Sequence, residues 1–160
     1  MSAIISVLLW FLAIGCGLIA GLYFAFSAFI MTALSRSGTA TAITAMNAIN
    51  AVILTSAFMP LFYATSLGSL LVALAAVLNW DGQVSPIILA GALVYFTGMT
   101  VVTIACNVPL NNELAATDPL SPQGATVWSK YFARWTMWNH VRTVASTLAS
   151  IAFVASLCMR

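Results

Sequence analysis

"SPQGATVWSKYFARWTMWNHVRTVASTLASIAFVASLC", residues 121–158, is the stretch whose pattern says most about the structure. Ser121 and Pro122 are typical of the N-cap and the first position of a helix. No charged residue follows Arg142 within the stretch. One helix of this length would be about 55 Å long, whereas the hydrocarbon of a bilayer is about 30 Å thick. The stretch therefore predicts a membrane span preceded by an amphipathic helical extension outside the hydrocarbon.

The composition of the whole chain points to the same class of protein. Of its 160 residues 62% are hydrophobic and 5% are charged, and the mean hydropathy is +1.06. A soluble domain has about 25% charged residues. We therefore expect one integral membrane domain over residues 1–160, in a bacterial inner membrane, with no soluble catalytic module. The net charge of +2 is dispersed rather than clustered, which argues against nucleic acid as a partner.

Apolar segments separated by polar breaks predict an all-α fold, a four-helix membrane bundle with short connections and one long polar loop. The first span is expected at residues 3–34. The second is expected at 43–78, with a kink at Pro60. The third runs from Pro86 to Ala105 or Cys106, and residues 107–125 form the long loop before the extension of the last span.

The distribution of positive charge predicts the orientation of this bundle. Arg36, Lys130 and Arg134 fall on the side of the long loop, whereas Arg160 lies on the side of the termini. Cytoplasmic loops carry an excess of Lys and Arg. The long loop is therefore expected in the cytoplasm and both termini outside it.

Small residues recur every fourth position in the first span, at Ala13, Gly17, Gly21 and Ala25. This spacing places them on one face of a helix and allows another backbone to approach closely. Packing within the chain is the favoured interpretation. A homo-oligomer formed through the Gly17 and Gly21 face is the alternative.

A stripe of aromatic and polar residues runs along the last helix at helical spacing. Its members are Trp128, Tyr131, Phe132, Trp135, Trp138, Asn139 and Arg142. A belt of aromatic rings at the lipid headgroups would account for several of these rings. It would not account for Asn139 and Arg142, so a ligand site is the second interpretation.

The other helices that end on this side carry matching polar residues. Asn47 and Asn50 lie near the start of the second span, and Asn107 and Asn111 lie at the end of the third, beside Asn112 and Glu113. Polar groups at this depth are unfavourable unless they are paired or hydrated. We therefore expect these side chains to converge on a ligand, or else to cap and bridge helix ends.

The residue inventory limits the chemistry that such a site could perform. One histidine and three acidic residues do not suffice for a metal site within one subunit. A metal or haem shared between subunits stays open. No phosphate-binding glycine loop and no nucleophile elbow occur in the sequence. Proton transfer remains, with His140 or Glu113 as the base and Asn, Arg and Trp side chains as donors to an oxyanion; a packing role is the alternative for His140.

Four stretches resemble the anthrone oxygenase-like family of small membrane proteins. They are GLYFAFSAFIMTAL (21–34), AMNAIN (45–50), NVPLNNEL (107–114) and WSKYFARWTMWNHVRT (128–143). The resemblance covers nearly the whole chain and keeps the order of the motifs. The resemblance implies a four-helix membrane bundle. Some members of the family oxidise anthrone-type polyketides to anthraquinones, with O2 as co-substrate and without a bound cofactor.

The resemblance and the residue inventory together imply roles for individual residues. His140 would be the base, with Arg142 and Asn139 as donors to the enolate oxygen. Asn50, Asn107, Asn111 and Glu113 would complete the cleft, and a flat apolar aromatic substrate would partition from the lipid bilayer and stack on Trp135 or Trp138. The alternative is a non-enzymatic tetraspan protein, either a small transporter subunit or a partner-binding protein, whose polar cluster only locks helix ends.

Overall fold

The computed structural model describes residues 3–159, and over this range it consists of helices and their connections. The helices are α1 (Ala3–Arg36), α2 (Thr39–Ile53), α3 (Phe58–Leu78), α4 (Ser85–Ala115) and α5 (Gly124–Cys158). Four of them, α1, α3, α4 and α5, are long and apolar enough to cross a membrane. The predicted all-α bundle with four spans is confirmed, and it is consistent with an integral membrane protein.

Within the bundle, α5 packs directly against α1 and α4. Ser150 Oγ on α5 donates a hydrogen bond of 2.8 Å to the Ala13 carbonyl oxygen on α1. On α4, a Cβ added to Gly98 would lie 2.5 Å from the Cβ of Ala145. Small residues at helix contacts allow this closeness, and packing rather than hydrophobicity drives helix association inside a membrane. These contacts place α5 between α1 and α4 in the bundle.

A second helical layer extends the bundle at one end, and we call it the cap. It consists of residues 26–36 of α1, the whole of α2, residues 108–115 of α4 and residues 124–138 of α5. Its buried core is separate from the core of the spans and contains Phe26, Met31, Ile43, Met46, Leu110, Leu114, Trp128, Tyr131 and Trp135. The predicted extension of the last span is thus one wall of a layer that also includes three other helical segments.

The predicted second span, residues 43–78 with a kink at Pro60, is wrong. Two helices replace it, and they are separated at residues 54–57. Ser56 makes the break: its Oγ donates to the Ile53 carbonyl oxygen at 2.8 Å and accepts from the Phe58 backbone N–H at 3.2 Å. Pro60 lies in the first turn of α3, where backbone N–H groups have no helical partner, so it causes no kink.

The predicted end of the third span at Ala105 or Cys106, and the loop over residues 107–125, are also wrong. Helix α4 continues to Ala115, and only residues 116–123 connect it to α5. A proline inside a helix removes one hydrogen bond and crowds the preceding turn. A π-helical segment, Thr103–Asn107, ends two residues before Pro109 and widens the helix there.

The last helix begins two residues later than predicted. The first residue of α5 is Gly124, and Gln123 stands at the N-cap position. Ser121 does not cap the helix, because its Oγ donates to the Asp118 carbonyl oxygen at 2.7 Å.

Two predictions about the surroundings of the bundle stay predictions. Gly17 and Gly21 on α1 are exposed, and a Cβ added to Gly21 would meet nothing within 4 Å, but no second copy is present to test a homo-oligomer. Arg36, Lys130 and Arg134 all lie on the cap, whereas Arg160 falls outside the described residues. The cytoplasmic placement of the cap and the choice of membrane thus rest on the sequence.

Candidate functional site

A cavity of about 490 Å³ lies where the cap meets the membrane spans. Most of its lining is apolar, and polar side chains enter it from the cap and from α5. The polar lining residues include Asn47, Asn50 and Asn111 from the cap and Arg142 from α5. Ligand sites in proteins have this volume and this mixture of an apolar wall with a few polar groups.

The cavity opens at the side of the bundle. Three of its apolar lining residues are largely exposed: Leu54 at 64%, Tyr63 at 63% and Ile104 at 61%. Leu54 belongs to the break between α2 and α3, while Tyr63 and Ile104 lie on spans α3 and α4. The rim of the opening is therefore apolar, and two of these three residues lie on membrane-spanning helices.

Arg142 is the charged group of this site. Its side chain is 4% exposed, and its Nη2 donates a hydrogen bond of 2.8 Å to Asn139 Oδ1. The guanidinium carbon lies 4.1 Å from the ring centroid of Tyr23 and 5.0 Å from that of Trp135. Within residues 3–159 Glu113 pairs with Lys130, and no carboxylate forms an ion pair with Arg142. A buried positive charge therefore borders an apolar cavity. The aromatic rings stabilise this charge but, unlike a carboxylate, do not neutralise it.

Asn139 holds this guanidinium in position. Its Oδ1 accepts from Arg142, and its Nδ2 donates to the Tyr23 carbonyl oxygen and to Ser27 Oγ, each at 2.7 Å. A π-helical segment of α1, Phe26–Ile30, lies just beyond Tyr23, and π-helical turns are frequent at functional sites. Both amide hydrogens of Asn139 are thus in use, so the geometry supports a positioning role rather than the predicted direct donation to a substrate.

Two of the asparagines that were predicted to converge, Asn50 and Asn111, meet in the cap. Tyr131 OH donates to Asn111 Oδ1 at 2.9 Å, and Asn50 Nδ2 donates to Tyr131 OH at a long 3.5 Å. The ring of Tyr131 is stacked between Trp128 and Trp135, with centroids 5.8 and 5.9 Å away. The aromatic stripe of α5 is therefore largely a buried face and not a belt facing lipid headgroups.

Three predicted site residues lie away from the cavity. His140 is exposed and is not part of the lining. Glu113 is exposed and forms its ion pair with Lys130 at 2.7 Å, and Trp138 borders a shallow groove beside that pair. Asn107 is 1% exposed and donates to the Trp135 carbonyl oxygen at 3.3 Å, so it supports the cavity wall from behind. The structure does not bring His140, Glu113 and Trp138 together with Arg142.

Sequence reasoning missed Tyr23. Its ring packs against the guanidinium of Arg142, and its carbonyl oxygen accepts a hydrogen bond from Asn139. The available signal was a single tyrosine in the apolar first span, since a buried tyrosine or tryptophan usually has a polar partner.

Among residues 3–159, no group of three or more His, Cys, Asp or Glu side chains is arranged to hold a metal ion. The expectation that no cofactor is bound stays a prediction.

Comparison with known proteins places this site within a family. The family model described as "Anthrone oxygenase" matches residues 50–152, more than half of the chain. The chain belongs to the anthrone oxygenase family. The residues matched to the anthrone oxygenase model include Asn50, Asn111, Asn139 and Arg142, whereas Tyr23 precedes them. No curated protein and no solved structure matches the chain.

Proposed function

We propose that the protein is a membrane-embedded oxidoreductase of anthrone oxygenase type, which oxidises an enolisable apolar aromatic compound with O2 and without a bound cofactor. The observation that carries the proposal is Arg142, a buried cation that has no carboxylate partner among residues 3–159 and that borders a largely apolar cavity. Ionisable residues within membrane-spanning segments are rare and usually functional. A cavity of this kind favours a flat apolar molecule that can carry one negative charge.

The substrate reaches the cavity from the bilayer. An apolar aromatic compound concentrates in lipid, and the apolar rim at Leu54, Tyr63 and Ile104 opens on the side of the bundle. The rings of Tyr23 and Trp135 border the cavity and offer surfaces for stacking. O2 is itself apolar and enters by the same route.

The first chemical step is loss of a proton from the CH2 group conjugated to the substrate carbonyl. Among the described residues that line the cavity there is no carboxylate and no imidazole. The proton therefore leaves to a water molecule or hydroxide at the polar end of the cavity, where Asn47, Asn50 and Asn111 enter it from the cap. The guanidinium of Arg142 stabilises the enolate oxygen that forms, in a site of low polarity where such stabilisation is strong.

The enolate then reacts with O2 directly. It transfers one electron to O2, and the resulting radical and superoxide combine to form a C–O bond. Protonation gives a hydroperoxide, which loses water as its O–O bond breaks and the second C–H bond is lost. One methylene group and one O2 molecule thus give one carbonyl group and one molecule of water. Arg142 stabilises the negative charge of the enolate, which is the form that reacts with O2.

The proposal is tested by O2 uptake in purified protein reconstituted in nanodiscs, with anthrone as the probe and a chelator present. We expect O2 consumption and anthraquinone formation in a ratio of one to one, well above the spontaneous oxidation of anthrone in empty nanodiscs. A rate equal to that of empty nanodiscs, for anthrone and its hydroxylated derivatives, would favour the non-enzymatic alternative. Loss of activity with the chelator would replace this scheme with a metal-dependent one.

Replacing His140 with alanine is expected to leave the rate within about twofold of the wild type, because exposed side chains away from special features have small effects. The side chain is exposed and does not line the cavity. The measurement is the pH dependence of O2 uptake between about pH 5.5 and 8, the range in which an ordinary histidine titrates. A large loss of rate, with a changed pH profile, would restore His140 as the base.

A further inference from the structure

We propose that Asn50, Asn111 and Tyr131 form a subsite that recognises a hydroxyl group on the substrate, with Tyr131 as the residue that positions the two amides. This inference rests on the proposed function and names a feature of the substrate. Both asparagines line the cavity, whereas Tyr131 lies behind them. Arg142 binds the reacting end of the substrate, and this subsite binds a substituent elsewhere on it.

The ring of Tyr131 is buried and packed on both sides, and this packing fixes the position of its hydroxyl oxygen. The side chain is 1% exposed, and its ring is stacked on Trp128 and Trp135 at interplanar angles of 21° and 22°. Its OH group lies between the two amides, 2.9 Å from Asn111 Oδ1 and 3.5 Å from Asn50 Nδ2. Because a phenol carries a single hydrogen, it donates to one amide and accepts from the other.

This directionality determines what each amide can offer a ligand. Asn111 accepts from Tyr131 through its oxygen, so its Nδ2 group is left as a donor; Asn50 donates to Tyr131, so its Oδ1 is left as an acceptor. Neither of these two atoms makes a hydrogen bond within residues 3–159. Exchanging O and N in both amides would swap the two roles but would still leave one donor and one acceptor.

A hydroxyl group is the small substituent that satisfies both amides at once, since it donates one hydrogen bond and accepts another. A methoxy group offers only an acceptor, and a hydrogen atom leaves both amides without a partner. Asn50 and Asn111 are partly buried, and a ligand that fills the cavity displaces the water around them. A hydrogen bond left unmade after that displacement is unfavourable, which makes such a pair selective. The cavity therefore selects aromatic compounds that carry a hydroxyl group apart from the reacting carbonyl.

The test compares binding of three probes that do not react with O2: anthraquinone, 1-hydroxyanthraquinone and 2-hydroxyanthraquinone. We expect the wild-type protein to bind at least one hydroxylated probe roughly 10-fold to 100-fold more tightly than anthraquinone. In Tyr131→Phe this ratio is expected to fall below about threefold, while the affinity for anthraquinone itself stays within about twofold. A merely structural role for Tyr131 would weaken all three probes alike.

Tyr95→Phe is the matched control. It also removes a buried tyrosine hydroxyl, one that lies 2.6 Å from Thr65 Oγ1 and does not line the cavity, so the selectivity ratio should stay as in the wild type. Asn50→Ala supplies a second test if Tyr131→Phe folds poorly. In this variant too, the preference for the hydroxylated probe over anthraquinone should be lost. Selectivity that persists in both variants, or that is missing from the wild type while anthraquinone still binds, would overturn the subsite and leave the proposed function standing. Failure to bind any probe would overturn both.

Discussion

Replacing Arg142 with glutamine is expected to lower the rate of O2-dependent oxidation by roughly 100-fold to 1,000-fold, the usual effect of removing a group that stabilises a developing oxyanion. Glutamine keeps polarity and approximate length but removes the charge. Arg142 is 4% exposed and has no carboxylate partner among the described residues, so its charge is available to the substrate. Arg142→Lys should also be impaired, since an ammonium group cannot reproduce the planar arrangement of donors in contact with Asn139, Tyr23 and Trp135.

Arg134→Gln is the matched control for this experiment. It removes an arginine charge from the same helix, but from an exposed position that does not line the cavity, so the rate should change by no more than about twofold. O2 uptake with anthrone is measured for each variant, with helical content checked by circular dichroism. Wild-type rates in a folded Arg142→Gln protein would remove Arg142 from the mechanism.

Replacing Asn139 with alanine is expected to lower both the thermal stability and the rate. The substitution leaves the Tyr23 carbonyl oxygen, Ser27 Oγ and Arg142 Nη2 without their shared partner. Each buried polar group left unsatisfied is unfavourable by about 1–3 kcal/mol, and loss of the contact allows the guanidinium to turn away from the cavity. We expect a rate at least about tenfold lower, because small displacements of a positioned group have effects of this order or larger.

Thr147→Ala provides the comparison, because Thr147 is exposed on α5 and its hydroxyl donates only to the carbonyl oxygen of Thr143 in its own helix. The thermal midpoint in detergent and O2 uptake are measured for both variants. A stable Asn139→Ala protein with the full rate would show that Arg142 does not need this contact.

The sequence was most informative where helical periodicity links residues within one segment. Trp128, Tyr131, Trp135, Asn139 and Arg142 follow helical spacing, and the structure buries all five on one face of α5. The lone arginine before an uncharged stretch also marked the cavity that the structure contains, because a charge at this depth requires a reason.

Residues next to that face could not be placed from the sequence. His140 is rotated by about 100° from Asn139 along a helix, and only the positions of the neighbouring helices decide whether that direction is a cleft or an exposed surface. The structure makes it exposed. Glu113 was misplaced for the same reason, since the helix that carries it continues to Ala115, into the segment predicted as a loop, and directs it toward Lys130.

The contact of Asn139 with Tyr23 joins residues 116 positions apart in the chain. Local patterns carry no information about such a pair, which depends on how α1 and α5 pack. The π-helical segment at Phe26–Ile30 and the break made by Ser56 are equally hard to read from local patterns. The sequence therefore predicted the all-α class, the number of spans and one wall of the site, whereas packing determined which polar groups meet inside it.

The central claim, that Arg142 makes the cavity selective for the anion of an enolisable aromatic compound, is tested most directly by titrating bound anthrone without O2. The enolate absorbs visible light, so its formation can be followed as the pH is raised in anaerobic nanodiscs that contain the protein. With the wild-type protein the midpoint should lie about 1–3 pH units below that of anthrone in empty nanodiscs, the usual effect of a close opposite charge. The shift should disappear in Arg142→Gln. A midpoint equal to or above that of free anthrone in the wild-type protein would contradict the account.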